Sequence, residues 1–444
     1  MKRIFLPCLV ALAGVFTAMA QESSTQKTSV PKSICTTSVE QPLFQTHLGD
    51  SIPYRIPAIA TASNGNLIAV SDYRYCGGDI GFGRVDLHYR ISDDNGLHWS
   101  PEMTMAEGDG VDGSVRCGYG DAAIVADSRS QEVLVVCVTG NTVYGHSTTT
   151  RQNPNRVAVI RSYDNGETWN APEEITESIY SLFDKSALGP VQSLFFGSGR
   201  ICQSRIVKVG KYYRIYAALC ARPGGNRVVY SDDFGRTWNA LGNIDESPAP
   251  QGDEPKIEEL PNGDVVLSSR AWGGRHFNIF NYISRRKATG LWQEVVASQE
   301  QEGGVVAKQN ACNGEILIIN TIDQSKGKTI PVAFQSVPLG PGRYRVGIYY
   351  KPLHSSYDYV TPATFATGWE GPYVVSEINS AYSTMCQQSD GRIAFFYEEE
   401  TYGPGAAYTE MYRPISVSEI TGGKYEAKPL NDNALKRMLH IKSK

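Results

Sequence analysis

SDDFGRTW spans residues 231–238, and two close copies precede it: SDDNGLHW at 92–99 and SYDNGETW at 162–169. Ser, Asp, Gly and Trp hold their offsets while the other letters drift. Ser92 and Ser162 lie 70 residues apart and Ser162 and Ser231 lie 69 apart, so the three octapeptides mark equivalent points of a repeated unit. Their chemistry is that of a turn. In Asp164-Asn165-Gly166 the glycine supplies positive φ, the Ser162 and Asp164 side chains hydrogen-bond nearby backbone, and Trp169 is an apolar plug beneath. SRRKATGLW, with Ser284 and Trp292, reads as a fourth, degraded copy.

Around these turns the chain is a succession of strand-like runs. NLIAV (66–70), VDLHYRI (85–91), EVLVVCV (132–138), RVAVIRS (156–162), YYRIYAAL (212–219), DVVLSS (264–269), EILIIN (315–320) and RIAFFYE (392–398) are short, β-branched or aromatic, and bounded by Gly, Asn, Asp or Pro. Helical periodicity is weak and confined to 179–187 and 433–440. The chain reads as all-β. A repeat near 70 residues with roughly four strands is the length of a propeller blade, and the chain has room for about six.

The N-terminal stretch has a different character. Residues 1–20 open with Lys2 and Arg3, continue through an apolar run and close on Ala18-Met19-Ala20, the pattern of a secretory signal cleaved before Gln21. That run is too short to span a bilayer, and no later stretch is apolar enough to cross one. Residues 21–44 read as a flexible leader, and 45–444 as a single domain of six blades, expected to be a monomer. A secretory signal implies a secreted or periplasmic protein. A net charge of −4 argues against nucleic acid as a partner. Nine cysteines, one of them within the signal, permit disulfides after export, but no paired C-x-x-C suggests a metal knuckle.

The octapeptides resemble the Asp boxes of sialidases, whose family fold is a six-bladed β-propeller. Further segments carry the resemblance. YRIP (54–57) is similar to the family motif whose arginine is one of three that grip the substrate carboxylate, which implies that role for Arg55. DEPKIEELPNGDVVLSSR (253–270) resembles the segment in which a glutamate precedes a strand-end arginine, giving Glu254 and Arg270. GRYRVGIYY (342–350) resembles the segment of the third arginine. There Arg343 fits the register better than Arg345, which stands two residues on and hence on the same strand face. SAYSTM (380–385) resembles the nucleophile segment and points to Tyr382, while GRIAFFYEEE (391–400) makes Glu398 the carboxylate that steadies an arginine of the triad. SDYRYCGGD (71–79) resembles the stretch that ends on the catalytic acid. This favours Asp79, in a Gly-rich loop, over Asp86, which opens a strand. Arg74 and Asp121 are then implied at the N-acyl or O4 side of the sugar.

The chemistry explains why these residue types belong together. A terminal sialic acid carries a carboxylate on its anomeric carbon, and three convergent arginines can hold it through charge-assisted hydrogen bonds. A carboxylate nucleophile would approach an already negative centre, whereas a neutral phenol avoids that repulsion; tyrosine-nucleophile sialidases are the known exception to the two-carboxylate rule. A phenol is a weak nucleophile unless a base takes its proton, and Glu254 is that base. Asp79 would protonate the leaving oxygen and later deprotonate water, with retention. The scheme calls for neither metal nor organic cofactor. Its implied partners are sialylated glycoproteins, glycolipids and oligosaccharides. Transfer to another sugar, a preference for a deaminated sialic acid, and a non-catalytic glycan-binding propeller remain the alternatives.

Overall fold

Residues 54–106 fold as one antiparallel sheet of four strands, Tyr54–Thr61, Leu67–Tyr73, Asp86–Ser92 and Met103–Ala106, each paired with the next. Five further sheets follow, and together they make a six-bladed β-propeller. The structure is a computed structural model that describes residues 40–46 and 52–430. The expected signal, Cys35 and the helical candidate at 433–440 lie outside the described residues. Blade 1 is the sheet just given. Blades 2 to 6 begin with the strands Tyr119–Ala126, Cys202–Val209, Asp253–Glu259, Ile316–Asp323 and Ser380–Gln387.

Apolar side chains explain why the blades pack as a ring. A buried cluster fills each seam between neighbours. Ile68 and Val70 of blade 1 meet Ile124 and Val135 of blade 2, and Leu134 and Val136 continue against Leu194 and Ile215 of blade 3. Tyr216 and Val228 meet Leu267 and Phe280 of blade 4, while Phe277 and Ile279 meet Ile318 and Ala333 of blade 5. Val332 and Ile348 meet Phe395 and Tyr397 of blade 6. Phe396 and Tyr412 then return to Ile59 and Leu67 of blade 1. Because both faces of each blade are covered, its middle strands read as near-continuous apolar runs rather than alternating ones.

The octapeptides close the turn between third and fourth strands in blades 1, 2 and 3. In each, the serine hydroxyl donates to the aspartate at 2.7–2.9 Å and accepts the glycine N–H at 2.7–2.8 Å. The same aspartate accepts the N–H of His98, Thr168 or Thr237 at 2.8–2.9 Å. Each turn also leans on the preceding blade. A Cβ on Gly96, Gly166 or Gly235 would collide with Tyr412, Ile68 or Leu134 respectively, and Arg161 of blade 2 donates to the Phe234 and Gly235 carbonyls at 2.9 and 2.7 Å. In the degraded copy the serine–aspartate lock is gone, but Trp292 still donates to Leu241 of blade 3 at 2.9 Å.

Blade 6 corrects the expected domain boundary. Its outer strand is Gln41–Gln45, paired with Thr409–Ile415, so the propeller begins inside the segment read as leader to residue 44. Phe44 is fully buried there and Leu43 nearly so. The helical candidate at 179–187 is a five-residue helix, Thr176–Tyr180, followed by one 3-10 turn, Ser181–Phe183. All seven described cysteines are free thiols. Among the described residues no helix is long and apolar enough to cross a membrane.

Candidate functional site

At the start of the first strand in blades 1, 2, 4 and 6 the pairing slips register, between Arg55 and Ala58, Gly120 and Ala123, Asp253 and Lys256, and Ser380 and Ser383. Such bulges bend a strand and re-aim a side chain. Each of these four carries one of the residues singled out from sequence: Arg55, Asp121, Glu254 and Tyr382. Two are strained as well. Ile56 has φ 66 and Asp121 φ 54, and positive φ is a true outlier for a β-branched residue.

Buried carboxylates hold three of these bulges. Glu398 accepts from Arg55 Nε at 2.8 Å and Nη2 at 3.3 Å, from the Ile56 N–H at 2.8 Å and from the Tyr382 N–H at 3.0 Å. Burial pushes the Glu398 carboxyl up, but Arg55 and the two backbone donors outweigh it and hold it below its ordinary value. Asp72 does the equivalent for blade 2. It accepts the Asp121 N–H at 3.0 Å and Arg74 Nη2 at 3.0 Å.

Tyr382 lies at the meeting point. Its hydroxyl donates to Glu254 Oε1. Arg270 Nη1 is 2.7 Å from Glu254 Oε2 and 3.2 Å from the Tyr382 oxygen. The guanidiniums of Arg55 and Arg343 each stand 5.4 Å from the Tyr382 ring centre, and Tyr408 backs Arg55 at 5.0 Å. Three arginines thus surround one phenol. Burial and the Glu254 charge push that phenol well above its ordinary value, with Arg270 opposing them. It is neutral at rest.

Arg343 and Arg345 do not share a face. Arg345 has φ 60, which turns its side chain outward to an ion pair with Glu377 at 2.7 Å, and the strand proper starts only at Val346. Asp79 and Asp86 also part company. Asp86 is buried, bound to Arg84 at 2.8 Å and to the Gly108 N–H at 2.9 Å. Asp79 leaves 74% of its side chain exposed and meets Arg74 Nη1 at 2.5 Å. Arg74 itself is enclosed by Asp72, Asp79 and Asp121, the last at 3.6 Å. Burial first, then the neighbouring Asp72 charge, pushes the Asp121 carboxyl up. Burial raises Asp72 as well, against the pull of Arg74.

Asp72 and Tyr408 were not singled out from sequence. The signal for Asp72 was its place in SDYR, two residues before Arg74; Tyr408 had none. No group of three or more His, Cys, Asp or Glu side chains suited to a metal ion occurs among the described residues.

Fold and site define a six-bladed propeller in which three arginines gather around a buried tyrosine–glutamate pair. Residues 77–395 match the BNR repeat-like domain family, and the chain belongs to it and, with the relatives that follow, to the bacterial sialidase family. A sialidase of Paraclostridium sordellii is 28% identical over 236 residues, 52% of this chain and 55% of that protein. A sialidase of Bacteroides fragilis is 25% identical over 324 residues, 68% of this chain and 54% of that one. The chain spans about half the length of these curated relatives. Among solved structures, a Hadza microbial sialidase superposes with a TM-score of 0.64 at 19% identity, covering 83% of this chain and 66% of its own, a likeness of fold.

Proposed function

We propose that this protein is an exported exo-α-sialidase, secreted or periplasmic, that hydrolyses terminal sialic acids from glycoconjugates with retention. The observation that carries this reading is the convergence of Arg55, Arg270 and Arg343 on a phenol that donates to Glu254. Two of those arginines are already paired, Arg55 with Glu398 and Arg270 with Glu254. Arg343 has no ion-pair partner among the described residues, so the cluster has charge to spare for a carboxylate ligand. Such charge-assisted bonds contribute roughly 1.5–3 kcal/mol each.

In the first step the Tyr382 oxygen bonds to the anomeric carbon as its proton passes to Glu254. Asp79 protonates the leaving oxygen, whose bond to that carbon breaks. Arg270, close to both oxygens, stabilises charge on the phenolic oxygen. In the second step Asp79 takes a proton from water, the water oxygen bonds to the anomeric carbon, and Tyr382 departs with the proton held by Glu254. The exposed Gly-rich loop of Asp79 lets that carboxyl swing from Arg74 to the substrate.

The test uses a sialosyl substrate with fluorine beside the anomeric carbon and a good leaving group. The fluorine slows both steps and the leaving group restores the first, so the covalent adduct accumulates. Mass spectrometry of the digest is expected to place the sugar on the peptide containing Ala381-Tyr382-Ser383, and Tyr382→Phe to abolish label and turnover. Label on Glu254 or Asp79 overturns the mechanism; no label and no sialic acid released from any sialoside overturns the activity.

A further inference from the structure

The seam between blades 6 and 1 holds a carboxyl group that no arginine matches. Arg55 is paired with Glu398 at 2.8 Å and Arg74 with Asp72 at 3.0 Å. Glu410 stands beside them. It lies directly opposite Glu398 across the antiparallel pair of Ile393–Glu399 and Thr409–Ile415, and residues so placed point their side chains to the same face. On its other side the register partner is Phe44. Glu410 is fully buried, and neither of its carboxyl oxygens has a hydrogen-bond partner among the described residues.

The polar groups that face it are Glu398 from its own sheet and Arg55, Ser71 and Asp72 from blade 1. Arg55 is the one cation among these, and both Glu398 oxygens already hold it. Ser71 donates to the Arg55 and Asp72 carbonyls, at 3.2 and 3.3 Å, so it offers Glu410 a lone pair rather than a proton. A carboxylate here would have no donor to replace water and a second negative charge directly opposite, whereas a carboxylic acid can donate to Ser71. Burial first, then the Glu398 charge, pushes the Glu410 carboxyl well above its ordinary range.

We infer that Glu410 is a positioning residue that serves as a neutral acid: by keeping its proton it leaves Glu398 as the sole counter-ion of Arg55, and so sets the aim of that guanidinium. The inference rests on the proposed function, in which Arg55 grips the substrate carboxylate. An ionised Glu410 would share Arg55 with Glu398 and add negative charge behind a site built for an anion.

The test uses Glu410→Gln, an uncharged isostere that can still donate, with Glu410→Met as a second neutral variant of similar volume. Melting temperatures come first. The folded parent holds a proton that the unfolded chain gives up above the ordinary carboxylate range, so this contribution to stability is full at low pH and falls as pH rises, while the variants have no such proton to lose. The variant-minus-parent difference in Tm is expected to grow by about 2 °C or more between about pH 4 and about pH 7. A substitution that merely disturbs packing shifts Tm alike at both. Kinetics on one sialoside then read the grip. The parent's KM is expected to rise about fivefold between about pH 7 and about pH 9 as Glu410 ionises, and that of Glu410→Gln less than about twofold, with kcat following one profile in both. A Tm difference independent of pH would show that Glu410 holds no extra proton, and superimposed KM profiles would show that it does not govern Arg55. Either overturns the inference. A parent protein inert toward every sialoside removes the sialidase reading itself, and the positioning role with it.

Discussion

Arg343 and Arg345 are chemically identical and two residues apart, yet only one of them faces Tyr382. Arg343 stands over the phenol ring, while Arg345 sits in an exposed pair with Glu377. Replacing Arg343 by Ala should lower kcat/KM by about 30-fold or more, equivalent to roughly 2 kcal/mol or above. Arg345→Ala should change it less than about twofold, since exposed ion pairs contribute little. Steady-state kinetics on one sialoside decides it, and the reverse order would move the carboxylate grip to Arg345. At this scale much was legible. Arg55, Glu254, Arg270, Tyr382 and Glu398 stand in flanking letters specific enough to single them out. Glu410 was not legible. It is fully buried opposite Glu398, and burial together with the charges of Glu398 and Asp72 pushes it well up. In TEMY it looks like any solvated glutamate, because its surroundings come from across the sheet and the neighbouring blade.

The octapeptide turns and the strand bulges show opposite limits of what local sequence contains. A turn is specified by its own eight letters, so three copies were readable at sight. What those letters do not reveal is that the turn also docks on the preceding blade. Gly166 has φ +89, and a Cβ there would run into Ile68 of blade 1; Gly189 has φ +83 with open space around it. Gly189→Ala should therefore cost only the backbone term, about 1 kcal/mol. Gly166→Ala should add the crowding term and cost roughly 2–4 kcal/mol. Denaturant midpoints of the two variants measure the difference, and equal losses would mean that the turn does not staple the seam. The bulges carry no such signature. Ile56 adopts positive φ because Glu398, hundreds of residues away, draws its N–H and the Arg55 side chain to one carboxylate, and nothing in YRIP announces that distant partner.

The ring closes by joining the N-terminal strand Gln41–Gln45 to Thr409–Ile415 within blade 6, and this is where local reading failed most. QPLFQ follows a polar, Ser- and Thr-rich stretch and looks like its continuation, because an outer strand of five residues has too little pattern to stand out. Its partner is Thr409–Ile415, far away in sequence. In the fold, Phe44 fills the seam between blades 6 and 1, with its ring 6.1 Å from Phe396 and 5.3 Å from Tyr54, and Tyr54 directly precedes Arg55. The whole propeller and one corner of the site thus depend on a side chain from the segment read as leader. Phe44→Ala removes a fully buried ring and should cost about 3–5 kcal/mol. Pro42→Ala, on the exposed face of the same strand, should cost less than about 1 kcal/mol. If the ring unfolds as one cooperative body, Phe44→Ala shifts a single calorimetric transition downward; if blade 6 opens by itself, a separate low-temperature transition appears. Equal melting temperatures for the two variants would show that Gln41–Gln45 does not hold the ring shut.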